Sequence, residues 1–307
     1  MQLIIDSTTK DLNPWKSAFQ EALPNIKVIT WDEIEDPDQV EVAILWNHRS
    51  EFFHKLKKVR LVCSLGAGVD HILKDPLLPS DMLITRIIAD ELSGPMSVFC
   101  IGAITYFERK FDYFKELQQQ KIWDQQFDPE RHLHIGIMGM GALGQDLATK
   151  LVALDFRVSG WSQTKKTISG VQSFVANELD DFLASIDLLV CLLPATPDTY
   201  QILNANLFEK MKSGTYLINV ARGHHQVNQD IVDALDSGKL AGAFLDVFPV
   251  EPLPSTDPLW LHPKVIVTPH IAVVTKLEAA VPQIVQNIDN LQKGKPLINT
   301  VDRSKGY

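Results

Sequence analysis

Residues Ile135–Gly144 read IGIMGMGALG and place Gly139, Gly141 and Gly144 at G-x-G-x-x-G spacing directly after the apolar run 134–138. In a strand-to-helix turn, the first glycine allows a tight bend, the second lets the backbone approach a pyrophosphate, and the third lets the helix pack close to the strand. The helix N-terminus then offers unpaired N–H groups and a positive dipole end to an anion. The spacing predicts a phosphate-binding turn, although alone it also fits an ordinary glycine turn.

The residues after this turn favour a dinucleotide site. Apolar residues recur at helical spacing as far as Leu154, and Phe156–Trp161 then predicts a second strand. The result is a βαβ unit of about the length that the fingerprint requires. Ala142 and Leu143, at the start of the helix, join the three glycines as predicted cofactor contacts.

The end of the second strand indicates which dinucleotide binds. In the NAD-binding version, an acidic residue about 20 positions beyond the glycines accepts the ribose 2′-hydroxyl. Residues 161–166 read WSQTKK here, without a carboxylate. Hydroxyl, amide and ammonium groups can bind a 2′-phosphate that a carboxylate would repel. The alternative is that Lys165 and Lys166 form a solvated surface turn. On the first interpretation NADPH is preferred and NADH is weaker, with contacts from Trp161, Ser162, Gln163, Thr164 and Lys165.

Composition restricts the class of protein. The 307 residues are 45% apolar, enough for two ordinary cores, and the formal charge is −9. This acidic balance argues against binding to nucleic acid or to an anionic membrane. No apolar run reaches the ~18–20 residues of a membrane span, and the N-terminus lacks the pattern of a signal peptide. We therefore expect a cytoplasmic protein of two domains.

Cysteine and histidine usage predicts neither disulfides nor a metal site. Cys63, Cys100 and Cys191 are widely spaced and set in apolar runs, so we expect small core residues. The nine histidines show no zinc-type spacing with cysteine. His224 and His225 are expected at a loop surface.

Short apolar runs alternate with helical stretches in two blocks, which predicts an α/β protein with two doubly wound parallel sheets. In the first block, strands are predicted at 3–6, 27–30, 42–46, 60–65 and 83–88. A helical segment over about 95–120 leads to the second block, whose strands are predicted at 134–138, 156–161, 187–193, 215–220, 243–247 and 264–268.

A final helical pattern follows residue 272 and ends near residue 291. Too little chain remains there for a third domain, so the tail is expected to return to the first block. The predicted arrangement is a Rossmann cofactor domain, residues 98–276, inserted in a flavodoxin-like substrate domain, residues 1–97 and 277–307.

Ligands of open α/β sheets bind outside the carboxyl ends of the strands, so the residues after each strand are the candidate site. Leu65–Val69 reads LGAGV, and its small residues either leave N–H groups free for a carboxylate or form a plain turn. In the second block, three successive strands end near Arg222, near Asp246 with Glu251, and at His270. A guanidinium, carboxylates and an imidazole are thus expected at one edge of the dinucleotide-binding sheet.

The chain resembles the D-isomer-specific 2-hydroxyacid dehydrogenase family, and its matching motifs follow the family's order across most of the chain. They are GAGVDHI at 66–72, GMGALG at 139–144, LLPATPDT at 192–199, INVARG at 218–223, LDVFPVEPLP at 245–254 and TPHIA at 268–272. WSQTKK at 161–166 and VDRSKGY at 301–307 resemble the glyoxylate/hydroxypyruvate reductase A branch, which is NADPH-linked.

This resemblance implies reduction of glyoxylate to glycolate and of hydroxypyruvate to D-glycerate. It implies that Arg222 binds the substrate carboxylate and carbonyl, that His270 is the general acid and that Glu251 is its partner. Backbone at Ala67 and Gly68 is implied to hold the carboxylate. A homodimer built on residues 98–130, within the cofactor domain, is implied as well. Further implied cofactor contacts are Leu193, Pro194, Thr199, Val220, Ala221 and Asp246, the last to the nicotinamide amide.

The chemistry of a 2-oxo acid agrees with these roles. Hydride arriving at the carbonyl carbon leaves an alkoxide, which needs a proton from a group that titrates near neutrality. Two other functions remain open: a dehydrogenase for another small D-2-hydroxy acid such as lactate, and a non-catalytic scaffold that senses NAD(P). Retention of Arg222, Glu251 and His270 together argues for catalysis.

Trp46 ends a predicted strand and has two possible roles. As a wall of the substrate pocket, its indole would restrict the substituent at carbon 3 to a small group. Alternatively, it packs beneath a loop.

Overall fold

The computed structural model describes residues 1–88, 90–125 and 132–303. The chain divides into two compact units, one made of Met1–Ala89 and Thr275–Tyr307 and the other of Asp90–Val274. The boundary expected at residue 97 lies within a helix of the second unit. Residues 126–130 of the expected dimer segment and residues 304–307 of the VDRSKGY motif lie outside the described residues.

The first unit holds a parallel sheet with the strand order β2-β1-β3-β4-β5, which is the flavodoxin order. Its strands agree with the five predicted ones, because most of their residues are apolar and buried; the edge strands β2 and β5 each begin with an exposed residue, Lys27 and Leu83. They are β1 Gln2–Ser7, β2 Lys27–Ile29, β3 Val40–Trp46, β4 Leu61–Ser64 and β5 Leu83–Thr85.

The second unit holds a parallel sheet with the order β12-β11-β10-β9-β6-β7-β8, the Rossmann order with one added strand. Six of these strands were predicted; β8 was missed, because two of its four residues, Gln172 and Ser173, are polar and it lies at the sheet edge. The strands are β6 His134–Met138, β7 Arg157–Trp161, β8 Val171–Phe174, β9 Leu188–Cys191, β10 Thr215–Asn219, β11 Leu240–Leu245 and β12 Val265–Val267.

The segment predicted as one helix over 95–120 forms two helices, α4 (Asp90–Glu108) and α5 (Phe111–Gln120). The break falls at Lys110, whose φ of +50° is left-handed and cannot continue an α-helix. The described helices are α1 Asn13–Ala22, α2 Phe52–Lys55, α3 Asp70–Leu73, α4 Asp90–Glu108, α5 Phe111–Gln120, α6 Ala142–Ala153, α7 Leu179–Ser185, α8 Ala205–Lys210, α9 Asn228–Asp236 and α10 Leu277–Gln292.

The three cysteines lie in the protein core, as their apolar sequence surroundings predicted. Cys63, Cys100 and Cys191 are all buried with free thiols, and burial raises the pKa of each thiol to about 12.

No helix in the described part of the chain combines the length and the apolar character that crossing a membrane requires.

Each sheet reverses its strand order once, between β1 and β3 in the first unit and between β6 and β9 in the second. Loops that leave the carboxyl ends of strands diverge at such a reversal and open a crevice there. The fold therefore gives each unit its own ligand-binding edge.

Candidate active site

The glycine turn after β6 has the geometry of a phosphate cradle. Gly139 has a φ of +105°, and a Cβ on it would lie 2.5 Å from the carbonyl oxygen of Leu192. A Cβ on Gly144 would overlap the carbonyl oxygen of Gly139, which explains how α6 packs so closely against the strand. Gly141, the N-cap of α6, faces open space instead. Backbone N–H groups at a helix start beside open space fit a pyrophosphate.

The turn after β7 presents polar and cationic side chains. Gln163, Thr164 and Lys165 are exposed, and Ser162 donates its hydroxyl to the carbonyl oxygen of Thr164 at 2.8 Å. Trp161 is buried, and its Nε1 has no hydrogen-bond partner in the part of the chain that the structure describes. The turn thus fits a phosphate-bearing ribose better than a bare one, because it brings hydroxyl, amide and ammonium groups together without a carboxylate.

The loop after β9 is held in place by its own side chains. The hydroxyl of Thr199 donates to the carbonyl oxygen of Pro194 at 2.8 Å and accepts the N–H of Thr196 at 2.9 Å. Leu193 and Thr199 are buried, whereas Pro194 is exposed. Of the three predicted cofactor contacts on this loop, Pro194 is therefore the one exposed to a cofactor.

His225 corrects an expectation: it is fully buried, although the sequence predicted a loop surface. Its Nε2 lies 3.2 Å from the carbonyl oxygen of Pro194, and its Nδ1 lies 4.0 Å from Sγ of Cys191. Through these two contacts, the His225 ring connects the loop after β10 to the end of β9 and the loop that follows it. Only the tertiary packing of two strand ends reveals this, because nothing in the local sequence distinguishes His225 from His224.

Arg222 stands on a loop whose backbone is ordered by Asn219, the last residue of β10. The Asn219 side chain accepts the N–H of Ala221 at 3.1 Å and donates to the carbonyl oxygen of Arg222 at 3.3 Å. Arg222 in turn donates from Nη1 to the carbonyl oxygen of Ala221 at 2.7 Å. Val220 and Ala221 are buried, so the guanidinium is the group that this loop presents.

Gly223 brings the Arg222 loop into contact with the loop after β11. A Cβ at Gly223 would overlap the backbone carbonyl of Phe248. Only glycine allows this approach, and sequence reasoning had assigned Gly223 no role. The contact holds Arg222 and the segment that carries Glu251 in a fixed relation.

Asp246 organises the loop that carries His270. Its fully buried carboxylate accepts hydrogen bonds from the Thr268 hydroxyl at 2.6 Å and from the N–H groups of Ile271 and Ala272, both at 2.9 Å. Its carbonyl oxygen accepts the N–H of His270 at 2.7 Å. These bonds hold His270 at a φ of +55°. The contact of Asp246 with the nicotinamide amide stays a prediction.

His270 and Glu251 form a hydrogen-bonded pair, with Nδ1 2.8 Å from Oε2. The other carboxylate oxygen accepts the N–H of Phe248 at 2.9 Å. Burial alone would raise the pKa of Glu251, but the hydrogen bonds from His270 and Phe248 and the charges of His270 and Arg222 lower it below its usual range. The His270 side chain is 33% exposed. A carboxylate anion thus orients an accessible imidazole, which can deliver a proton.

In the first unit, the loop after β4 has the features of a carboxylate site. Ser64 donates its hydroxyl to the carbonyl oxygen of Gly68 at 2.7 Å and accepts the N–H of Gly66 at 3.2 Å. Arg86 lies 3.5 Å from the carbonyl oxygen of Ala67. Among the described residues, no acceptor takes the N–H groups of Ala67 and Gly68. Two oriented N–H groups are what a carboxylate needs.

Trp46, at the end of β3, packs on this loop. A Cβ at Gly66 would lie 2.5 Å from the indole, and the ring of His71 lies 4.7 Å from it, centroid to centroid. The indole remains partly exposed. One part of the indole packs on the loop and another part is accessible. The structure is therefore compatible with both interpretations of Trp46, as a wall of the substrate pocket and as a residue packed beneath a loop.

An accessible imidazole paired with a carboxylate, on the same sheet edge as a dinucleotide-type turn, suits a nicotinamide-dependent oxidoreductase. The chain belongs to the D-isomer specific 2-hydroxyacid dehydrogenase family, whose NAD-binding domain matches residues 101–272.

Curated relatives and solved structures agree with this assignment. The chain is 37% identical to a glyoxylate/hydroxypyruvate reductase A of Yersinia enterocolitica over 315 aligned positions, covering 100% of both chains. It is 39% identical to the enzyme of the same name from Serratia proteamaculans, covering 95% of this chain and 96% of that one. An NADPH-dependent glyoxylate/hydroxypyruvate reductase of Sinorhizobium meliloti, solved with NADP and sulfate, superposes with a TM-score of 0.92 at 37% identity, covering 100% of this chain and 99% of that one.

Proposed function

We propose that this protein uses NADPH to reduce glyoxylate to glycolate and hydroxypyruvate to D-glycerate. The observation that carries the proposal is the 2.8 Å pair of His270 and Glu251 beside Arg222, on the sheet edge that holds the glycine turn. The names of the full-length relatives support these substrates over lactate and over a non-catalytic scaffold.

The second unit is the proposed cofactor domain. NADPH, when bound, supplies the hydride. The pyrophosphate is assigned to the N–H groups above Gly141 at the start of α6, because this is where the turn faces open space. The 2′-phosphate is assigned to the turn after β7. The proposed contacts are Gly139, Gly141, Ala142, Leu143, Gly144, Trp161, Ser162, Gln163, Thr164, Lys165, Leu193, Pro194, Thr199, Val220, Ala221 and Asp246.

Three side chains of this unit act on the substrate. Arg222 binds the carboxylate and stabilises the negative charge that develops on the carbonyl oxygen. His270 donates a proton to that oxygen from the ring nitrogen that Glu251 does not occupy. Glu251 orients the ring through its hydrogen bond, and its lowered pKa keeps it ionised beside the ring.

The first unit is the proposed substrate domain. The N–H groups of Ala67 and Gly68 are assigned to the substrate carboxylate, and the partly exposed indole of Trp46 is assigned to the carbon 3 side. A bulky indole at that place favours glyoxylate and hydroxypyruvate over branched 2-oxo acids.

The proposal is tested by following the loss of reduced-nicotinamide absorbance with a panel of 2-oxo acids. We expect turnover with glyoxylate and hydroxypyruvate, and a kcat/KM at least about tenfold higher with NADPH than with NADH, since each 1.4 kcal/mol of 2′-phosphate binding gives a factor of ten. A clear preference for NADH would contradict the assignment of the turn after β7. Absence of turnover with every acid would favour a scaffold.

Glu251→Gln tests the proton donor through pH. The variant lacks the titrating carboxylate, so its kcat/KM should no longer fall in acid through protonation of residue 251, and it should be about tenfold lower at neutral pH because the imidazole loses its charged hydrogen-bond partner. The wild-type carboxylate stays ionised at neutral and mildly acidic pH because its pKa is lowered, so its own protonation reduces activity only in stronger acid. A pH profile of both proteins checks this. An acid limb of the same shape in both proteins, together with equal kcat/KM at neutral pH, would remove Glu251 from the mechanism.

A cytoplasmic homodimer completes the proposal. The described part of the expected dimer segment carries apolar side chains exposed to solvent, with Trp123 86% and Val98 70% exposed. A surface cavity of about 520 Å³ is lined by Phe114, Leu117, Ile122 and Trp123, among others. Apolar exposure of this kind typically marks an interface. Light scattering should report twice the chain mass of 34.4 kDa; a monomer would contradict the proposal.

A further inference from the structure

Lys10 is a half-buried cation to which the described residues supply no anion. Its Nζ lies 5.1 Å from the centroid of the Trp46 ring, and no described residue gives it a hydrogen bond or an ion pair. Burial lowers the pKa of Lys10. Its backbone is fixed, because the hydroxyl of Ser7 accepts the N–H groups of Thr9 and Lys10 at 3.2 and 3.1 Å. The backbone of Lys10 is thus held, and its ammonium lies over the Trp46 ring with three hydrogen-bond donors.

The position of Lys10 in the sheet points to a ligand. It lies three residues after β1, and Trp46 ends β3; the strand order reverses between these two strands. Ligands of open α/β sheets bind at such a reversal. The same indole contacts Gly66, next to the N–H groups of Ala67 and Gly68, to which the described residues supply no acceptor. The Lys10 ammonium, the Trp46 indole and the predicted carboxylate site after β4 therefore follow one another along the carboxyl edge of the first sheet.

We propose that Lys10 determines specificity by binding an oxygen of the group attached to carbon 3 of the 2-oxo acid, either a hydroxyl or a carboxylate. This inference rests on the proposed function, in which Ala67 and Gly68 hold the carbon 1 carboxylate and Trp46 lines the carbon 3 side. Glyoxylate has no carbon 3 and gains nothing from Lys10. Pyruvate offers only a methyl group there, whereas hydroxypyruvate and oxaloacetate each offer an acceptor.

The test compares Lys10→Met, Lys10→Arg and the control Lys58→Met with four substrates: glyoxylate, pyruvate, hydroxypyruvate and oxaloacetate. Methionine keeps an apolar stem on the indole and removes the charge. Lys58 is an exposed lysine of the same unit, so its replacement changes the net charge equally. We expect Lys10→Met to lower kcat/KM about tenfold for the two acids whose carbon 3 carries a hydroxyl or a carboxylate, as loss of a charged hydrogen bond does, mainly through KM. Lys10→Arg should restore most of this loss.

The substrate panel separates the possible outcomes. A larger loss for oxaloacetate would identify a carboxylate as the bound group, and a larger loss for hydroxypyruvate would identify a hydroxyl. Equal losses for all four acids, or a loss that Lys58→Met reproduces, would overturn the role of Lys10 while leaving the reductase intact. If the wild type reduced none of the four acids, the proposed function and this inference would both fail.

Discussion

Replacing His270 by glutamine is expected to lower kcat by about 10³-fold, since a positioned general acid contributes about 10²- to 10⁴-fold. Glutamine can still occupy the site and hydrogen-bond to Glu251, but it cannot deliver a proton. The backbone of residue 270 is held by the carbonyl oxygen of Asp246, so the loop should keep its conformation. The measurement is steady-state reduction of glyoxylate, with fluorescence titration of NADPH.

NADPH affinity in this variant should stay within about twofold of wild type, because the lost group acts in the transition state. His54→Gln is the matched control, since His54 is an exposed histidine of the other unit. Wild-type turnover in the His270 variant would discard His270 as the acid. Loss of NADPH binding would show that the substitution had disturbed the cofactor site instead.

Arg222→Lys should lower kcat/KM for glyoxylate by about 10³-fold, although it keeps the positive charge. Lysine cannot form the two parallel hydrogen bonds that a guanidinium makes to a carboxylate, and its point charge no longer faces the developing alkoxide. Removing one such donor from an active site typically costs about 10²- to 10³-fold. We expect a higher KM together with a lower kcat, because Arg222 is assigned to both the carboxylate and the carbonyl.

Arg157→Lys provides the control for Arg222→Lys, because Arg157 is an exposed arginine at the start of β7 in the same unit. Its kinetics should match wild type. If Arg222→Lys also retained activity within tenfold of wild type, charge alone would suffice, and the two-point binding of the substrate would be wrong.

Continuous apolar runs and glycine spacing predicted most of the fold. Both sheets and eleven of the twelve described strands follow from them, because strands buried on both faces must be apolar along their length. The edge strand β8 escaped detection since its middle is polar. The break at Lys110 escaped because neither glycine nor proline marks it.

The candidate catalytic groups were predictable because each follows a strand, but the residues that hold them were not. Gly223 and His225 act through contacts with distant parts of the chain, and Asn219 acts through hydrogen bonds inside its own loop. Neither kind of contact leaves a periodic or spaced pattern in the sequence. Asp246 was detected for its charge and assigned to the cofactor. Its three hydrogen bonds to the His270 loop became visible only in the folded chain.

The backbone contact between Gly223 and Phe248 has a consequence for how this enzyme can diverge. This contact joins the Arg222 loop to the segment that carries Glu251, and both lie in the second unit, so substitutions in the first unit do not alter the contact itself. Lys10 and Trp46 belong to the first unit. Substrate range can therefore drift by substitution in one unit while the other preserves the reduction step, and selection can explore new 2-oxo acids without first rebuilding the catalyst.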